Sequence, residues 1–362
     1  MDKHARPAYE QRRSKIGAAM KVFWDPVQLT HDPRFFLQRG VVRQNFERPS
    51  RATALLEGVA ATGLSTTLPR PIDRAALEAV HPAAYLDFLR DGPAEWAAFD
   101  GAGPELVPNI HPSPEMLANG AQPGPGVVGK LGWFTADTSC PIAAATWPAA
   151  ESAAACAVAA ADEAAAGRHA YALVRPPGHH AYATRAGGHC YLNNAAIAAQ
   201  RLRDVGAARV AVLDIDSHHG NGTQGIFWDR NDVLFVSVHG DPGGYYPWFV
   251  GHAAEQGGAG ARGWNMNLPQ PKGAGDAVWL GAIDTGLDAI RAARVDALVL
   301  SLGFDASEHE PLGFLTVTED GFARAAAAIA ALGLPTAIVQ EGGYNVDVIG
   351  GLLGRVLTAF GG

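Results

Sequence analysis

The chain of 362 residues is 48% hydrophobic, carries a net charge of −8 and contains three cysteines. That apolar share can build a sizeable core in one or two domains, and the acidic balance argues against a general nucleic-acid binder. Cys140, Cys156 and Cys190 are an odd set without CxxC spacing, so a disulfide framework is excluded and a reducing, cytoplasmic setting is expected.

Residues 1–19 are polar and basic (Lys3, Arg6, Arg12, Arg13, Lys15) and lack the apolar centre of a secretory signal. They read as a disordered or non-native leader, with Met20 opening a single domain over 20–362. No stretch reads as a membrane span, because the Ala-rich run at 149–166 contains Glu151, Asp162 and Glu163.

A short strand is predicted at 21–24, a helix from about Ser50 to Gly63, and a second helical segment within 72–90. Residues 92–139 then lose periodicity and fill with Gly and Pro. A structureless stretch of that length is usually functional. Its Trp96, Phe99, Trp133 and Phe134 would be stranded in solvent unless the insert forms a pocket wall or a subunit contact. After it, strands at 170–174, 209–215, 233–238, 297–302 and 336–340 alternate with helices at 146–167, 193–205, 276–293, 318–332 and 346–360. Short all-apolar strands between helices predict an α/β fold with a parallel sheet covered on both faces.

The strand ends carry the chemistry: RPPGHH, LDIDSHHGNG, VSVHG, SLGFD and QEGGYN. Ligands of such sheets bind at the carboxyl ends of the strands. Asp216 and His218, two apart on extended chain, point to one side. With Asp305 they make a three-ligand set that leaves a divalent ion an open position, the catalytic pattern. Zinc is the first choice for mixed O/N donors, with Fe²⁺ or Co²⁺ also accommodated. His179 and His180 follow a rigid Pro-Pro-Gly turn and are candidate general base and acid. Asp214 would make its imidazole more cationic, and Asn221 would leave the other neutral. Tyr344 is placed to donate to a developing oxyanion. His219 is read as structural.

Taken with GGHCYLNN, these motifs in this order resemble the arginase/deacetylase fold and its histone deacetylase-like amidohydrolases, over about residues 21–360. Within that superfamily the chain is most similar to bacterial acetylpolyamine amidohydrolases, through HGDP followed by YYP, the GAGARGWNMNLP turn and the insert ending in GKLGWF. The resemblance implies about eight central parallel strands and a zinc ion on Asp216, His218 and Asp305. It also implies His179 and His180 as tandem bases and Tyr344 as the group that polarises the carbonyl. It implies structural K⁺ at Asp214, Asp216, His218, Ser237 and Val238, and again at Phe227, Arg230 and Val233. The implied substrate is a small acetylated amine, most simply an acetylpolyamine, with no nucleic acid or membrane partner. The insert at 92–139 is implied to form a homodimer contact that narrows the pocket. The pocket itself would be walled by Gly188, His189 and Tyr246, with Leu312 below.

Two positions depart from the family pattern. His189 stands where an aromatic is usual, which makes the tunnel more polar and open to protonation. Val127 and Val128 replace an acid that some relatives place near a substrate ammonium, leaving Glu105 or Glu115 as substitutes. Both changes concern substrate choice, so a lysine deacetylase acting on proteins, or an amidohydrolase for another N-acyl amide, is the alternative reading.

Overall fold

The computed structural model describes residues 20–311 and 313–362, so the leader at 1–19 and the pocket position Leu312 lie outside the described residues. The strands are β1 (Lys21–Phe23), β2 (Phe35–Gln38), β3 (Val41–Gln44), β4 (Thr66–Thr67), β5 (Ala170–Ala172), β6 (Val210–Asp214), β7 (Val233–Gly240), β8 (Asn265–Gln270), β9 (Ala297–Leu302) and β10 (Thr336–Gln340). Eight of them form one sheet in the order β4-β1-β5-β10-β9-β6-β7-β8, parallel at every pairing. β2 and β3 form a separate antiparallel hairpin.

The central strands are apolar on both sides because both faces are covered. Along β6, Val210 and Val212 join one core while Ala211 and Leu213 join the other. Helices Thr146–Ala165 and Asn194–Asp204 cover the first face. Helices Pro49–Ala61, Asp276–Ala293, Glu319–Ala330 and Ile349–Ala359 cover the second. Asn193 starts its helix by accepting from the Ala196 amide at 2.9 Å, and Thr318 does the same for Gly321 at 3.2 Å.

Four sequence expectations change. The segment at 72–90 divides into helices Arg74–Glu78 and Ala83–Ala97. β8 takes in part of the stretch expected as the GAGARGWNMNLP turn. It is the sheet's edge, where Pro269 is tolerated, and Gln224 Oε1 accepts from the side chains of Asn265 and Asn267 at 3.0 and 2.8 Å. The hairpin β2–β3 went unpredicted, although Arg39 and Gly40 both have positive φ (52° and 75°), as a two-residue hairpin turn requires.

The insert is the fourth change. It is not structureless: the helix ending at Ala97 runs into it, and helices Pro114–Ala118 and Val127–Trp133 lie within it. Phe134 is buried, Trp96 and Trp133 pack against the first core, and only Phe99 of the four aromatics is half exposed. Stranded aromatics therefore give little reason for a subunit contact. Val127 and Val128 also pack on that core.

Candidate active site

The ends of β5, β10, β9, β6 and β7 are five adjacent positions in the sheet. The first four deliver RPPGHH, EGGYN, GFD and DIDSHHG to one place. A cavity of about 680 Å³ opens there, lined by His180, His218, Asn221, Tyr344, Gly188, His189 and Tyr246 together with Asp137 and the tip of the β2–β3 hairpin.

At its floor, one donor atom each from Asp216, His218 and Asp305 lie within 4.8 Å of one another. His218 Nδ1 is 2.8 Å from Asp305 Oδ2 and 3.2 Å from Asp216 Oδ1. Both aspartates are fully buried, and buried carboxylates this close need a cation between them. Backbone amides of Gly342 and Ser217 donate to their remaining oxygens at 2.8 and 2.7 Å. A Cβ on Gly342 would stand 2.5 and 2.6 Å from the two carboxylates, so only glycine fits there. Without metal, burial opposes charge on His218, but Asp305 and Asp216 outweigh it and raise its pKa to about 9.

The tandem histidines have the partners expected. His179 Nδ1 lies 2.9 Å from Asp214 Oδ2, and His180 Nδ1 lies 2.6 Å from Asn221 Oδ1. Burial opposes charge on His179, yet Asp214, Asp216 and Glu341 outweigh it and hold its pKa well above the ordinary value. His180 is held well below, first by burial and then by its cationic neighbours His179 and His218. The two rings are thus pushed in opposite directions, His179 toward the cation and His180 toward the neutral base, with centroids 4.0 Å apart. Burial keeps the Tyr344 phenol protonated by raising its pKa well above 10.

His189 lines the cavity opposite Tyr246 and sits edge-on to Tyr344 at 6.1 Å. The polar ring is disfavoured as a cation: burial, then Arg51 and His218, lower its pKa to about 3. Gly188 turns beneath it at positive φ, and a Cβ there would meet His180 Cδ2 at 2.4 Å. Glu105 and Glu115 do not line the cavity. Glu105 is buried and accepts from the Arg34 amide at 2.8 Å, and Glu115 is exposed on its own short helix. The polar end of β7 also turns away: His239 bonds Ser237 Oγ and the Gly251 carbonyl. His219 is structural, with its ring against His239 and Nε2 3.2 Å from Asn267 Oδ1. Phe227 ends a helix and its carbonyl accepts from the Arg230 amide at 2.9 Å, ahead of Val233 at the start of β7.

Four residues here escaped the sequence reading. Buried Arg51 donates to the carbonyls of Gly343 and Glu341, both at 2.6 Å, and its guanidinium stands 4.8 Å from the Tyr344 ring. Glu47 joins Arg51 at 2.7 Å to Arg175 at 2.9 Å, and Arg175 opens the turn that bears the histidines. Glu341 accepts from the amides of Gly178 and His179 at 2.7 and 3.1 Å, tying that turn to the Tyr344 turn. Glu310 holds the Tyr344 amide at 3.0 Å. The signal for Arg51 was available: it shares the buried face of its helix with Leu55 and Val59.

The Histone deacetylase domain model matches residues 45–360. The chain is 44% identical over 334 residues to an acetylpolyamine amidohydrolase of Burkholderia pseudomallei, covering 91% of this chain and 95% of that one. It is 43% identical over 313 residues to acetylpolyamine amidohydrolase 1 of Pseudomonas aeruginosa, covering 86% and 90%. The crystal structure of acetylpolyamine aminohydrolase from Burkholderia pseudomallei superposes with a TM-score of 0.90 at 44% identity, over 95% of this chain and 99% of that one. With four strand ends converging on one carboxylate–imidazole cluster, and a matching domain from Asn45 to Phe360, this chain belongs to the histone deacetylase family.

Proposed function

We propose that the protein is a metal-dependent amidohydrolase that removes the acyl group from small linear N-acetylated amines, the class to which acetylpolyamines belong. The observation that carries the reading is one cavity lined by His180, His218 and Tyr344, with His179 against His180 and Asp216 and Asp305 clustered with His218. The relatives' names supply the substrate class.

Asp216, His218 and Asp305 would hold the ion, zinc by the chemistry of the donors, with Fe²⁺ or Co²⁺ compatible. When bound, it supplies Lewis acidity to the amide carbonyl and acidifies a water. His180, kept neutral, takes the proton from the attacking water at its Nε2, while Asn221 fixes its Nδ1. His179, kept cationic by Asp214, stabilises the charge and supplies a proton to the leaving amine. Tyr344 donates its phenolic proton in a hydrogen bond to the carbonyl oxygen as negative charge develops there.

Asp214, Asp216, His218, Ser237 and Val238 would hold one structural K⁺, and backbone at Phe227, Arg230 and Val233 a second. Support for the first is the pairing of Asp214 with Ser237 across β6 and β7. The homodimer implied by the insert is retained in the proposal, with exposed Phe99, Ile110, Met116 and Leu117 as the surface it would cover. Turnover of acetylputrescine and acetylcadaverine, set against an acetyl-lysine peptide on zinc-loaded enzyme, tests the reading. Hydrolysis of the peptide alone would move the substrate class to proteins.

A further inference from the structure

The cavity has one carboxylate in its lining besides the floor, Asp137, contributed where the insert returns to the sheet. Its Oδ2 accepts from the Tyr246 hydroxyl at 2.6 Å and from the Gly188 amide at 3.1 Å. Its Oδ1 accepts from the Ser139 amide at 2.7 Å. Both oxygens are therefore engaged by protein, three of the carboxylate's roughly four acceptor positions being filled from within the chain. The segment is anchored next door, where the Ala136 amide donates to the Ala186 carbonyl at 2.7 Å.

The two groups that share Oδ2 come from separate segments of the lining, the loop after β7 and the turn before Cys190. Tyr246 stands edge-on to His180 with centroids 4.8 Å apart. Gly188 carries the turn that presents His189. An O–H···O⁻ bond of 2.6 Å is in the short, charge-assisted range, and it requires tyrosine at 246, since phenylalanine has no donor.

We propose that Asp137 is a positioning residue that clamps the Tyr246 wall to the Gly188–His189 wall and so sets the tunnel's width, selecting slender N-acyl amines over broad ones. The proposal rests on the amidohydrolase reading for its substrates, but the clamp itself is a statement about aperture. With the clamp released, the ring of Tyr246 can lean away from the turn, and a wider linker passes.

The test compares acetylputrescine with mono-acetylated 1,4-bis(aminomethyl)benzene, which has the same charge but a wider linker. Zinc-loaded wild type, Tyr246→Phe, Asp137→Ala, the double variant and Asp137→Asn are measured. Wild type should favour the slender substrate in kcat/KM. Tyr246→Phe and Asp137→Ala should each shift the ratio about tenfold toward the broad one, the scale of one hydrogen bond to a charged group. The double variant should shift it no further, as residues acting through one contact do, and Asp137→Asn should restore most of it by retaining an acceptor for Tyr246. An unchanged ratio, or two shifts that add, would overturn the clamp. If wild type hydrolyses neither amine, the amidohydrolase reading fails. The clamp is then judged by Kd ratios for an alkyl and a benzyl hydroxamate across the same variants, with the same criteria.

Discussion

Replacing Arg51 by methionine should cost far more stability than its place on a helix facing away from the chemistry suggests. The guanidinium is buried and meets Glu47 at 2.7 Å and the carbonyls of Gly343 and Glu341 at 2.6 Å. Methionine fills the volume but takes the donor from the buried Gly343 carbonyl, leaves the Glu341 carbonyl only the longer bond from Gln340 at 3.3 Å, and leaves Arg175 as the one arginine on Glu47. Breaking a buried pair in this way costs about 3–5 kcal/mol. At ~2.1 cal/mol/K of unfolding entropy per residue, a chain of 362 residues should lose about 4–7 °C in Tm. Lysine keeps the charge but not the two-pronged geometry, so Arg51→Lys should regain part of the stability and less of the turnover, because Tyr344 depends on that turn. Calorimetry and urea titration give the first number, and steady-state kinetics on zinc-loaded protein the second. A loss below ~1 kcal/mol, the scale of an exposed pair, would refute the reasoning.

Tyr344→Phe should lower kcat roughly 10²–10³-fold, the cost of one oxyanion donor, with metal content by mass spectrometry unchanged; near-normal kcat would remove the role given to the phenol. Asp214→Asn takes away the carboxylate that holds His179 charged. A raised pKa is lost as pH rises through it, so the basic limb of kcat/KM against pH should move to lower pH in this variant, and an unmoved limb would separate His179 from proton delivery. Metal uptake should release a proton from His218, whose metal-free pKa is about 9. At neutral pH, calorimetry in buffers of differing ionisation enthalpy should therefore count about one proton, and affinity should weaken as pH falls. No proton release would mean that His218 is neutral before the ion arrives.

The parts of this molecule that were legible in the sequence are those whose cause is local. Strands such as ALVLSL announce themselves because both faces are buried, and the chemical residues cluster at their ends because that is where strands stop. What escaped has a distant cause. β4 is two threonines recruited at the sheet's edge beside β1, and β8 is polar because Gln224, forty residues earlier, satisfies its asparagines. Arg51 finds its partners 290 and 292 residues away. Asp137 finds Tyr246 109 residues away. His189 was read as polar and open to protonation; its polarity stands, but burial disfavours the charge.

The carboxylate of Glu47 gives the pocket a mechanical consequence. Through Arg51 it grips the turn that carries the phenol, and through Arg175 the turn that carries the tandem imidazoles. These two pieces of backbone are yoked through one buried anion and cannot separate without breaking an ion pair or the bonds from Arg51 to the Gly343 and Glu341 carbonyls. Motion that admits substrate is therefore pushed outward, to the β2–β3 hairpin and to Trp248 and Phe249, both exposed at the mouth. The entrance can breathe while the reacting groups keep their spacing.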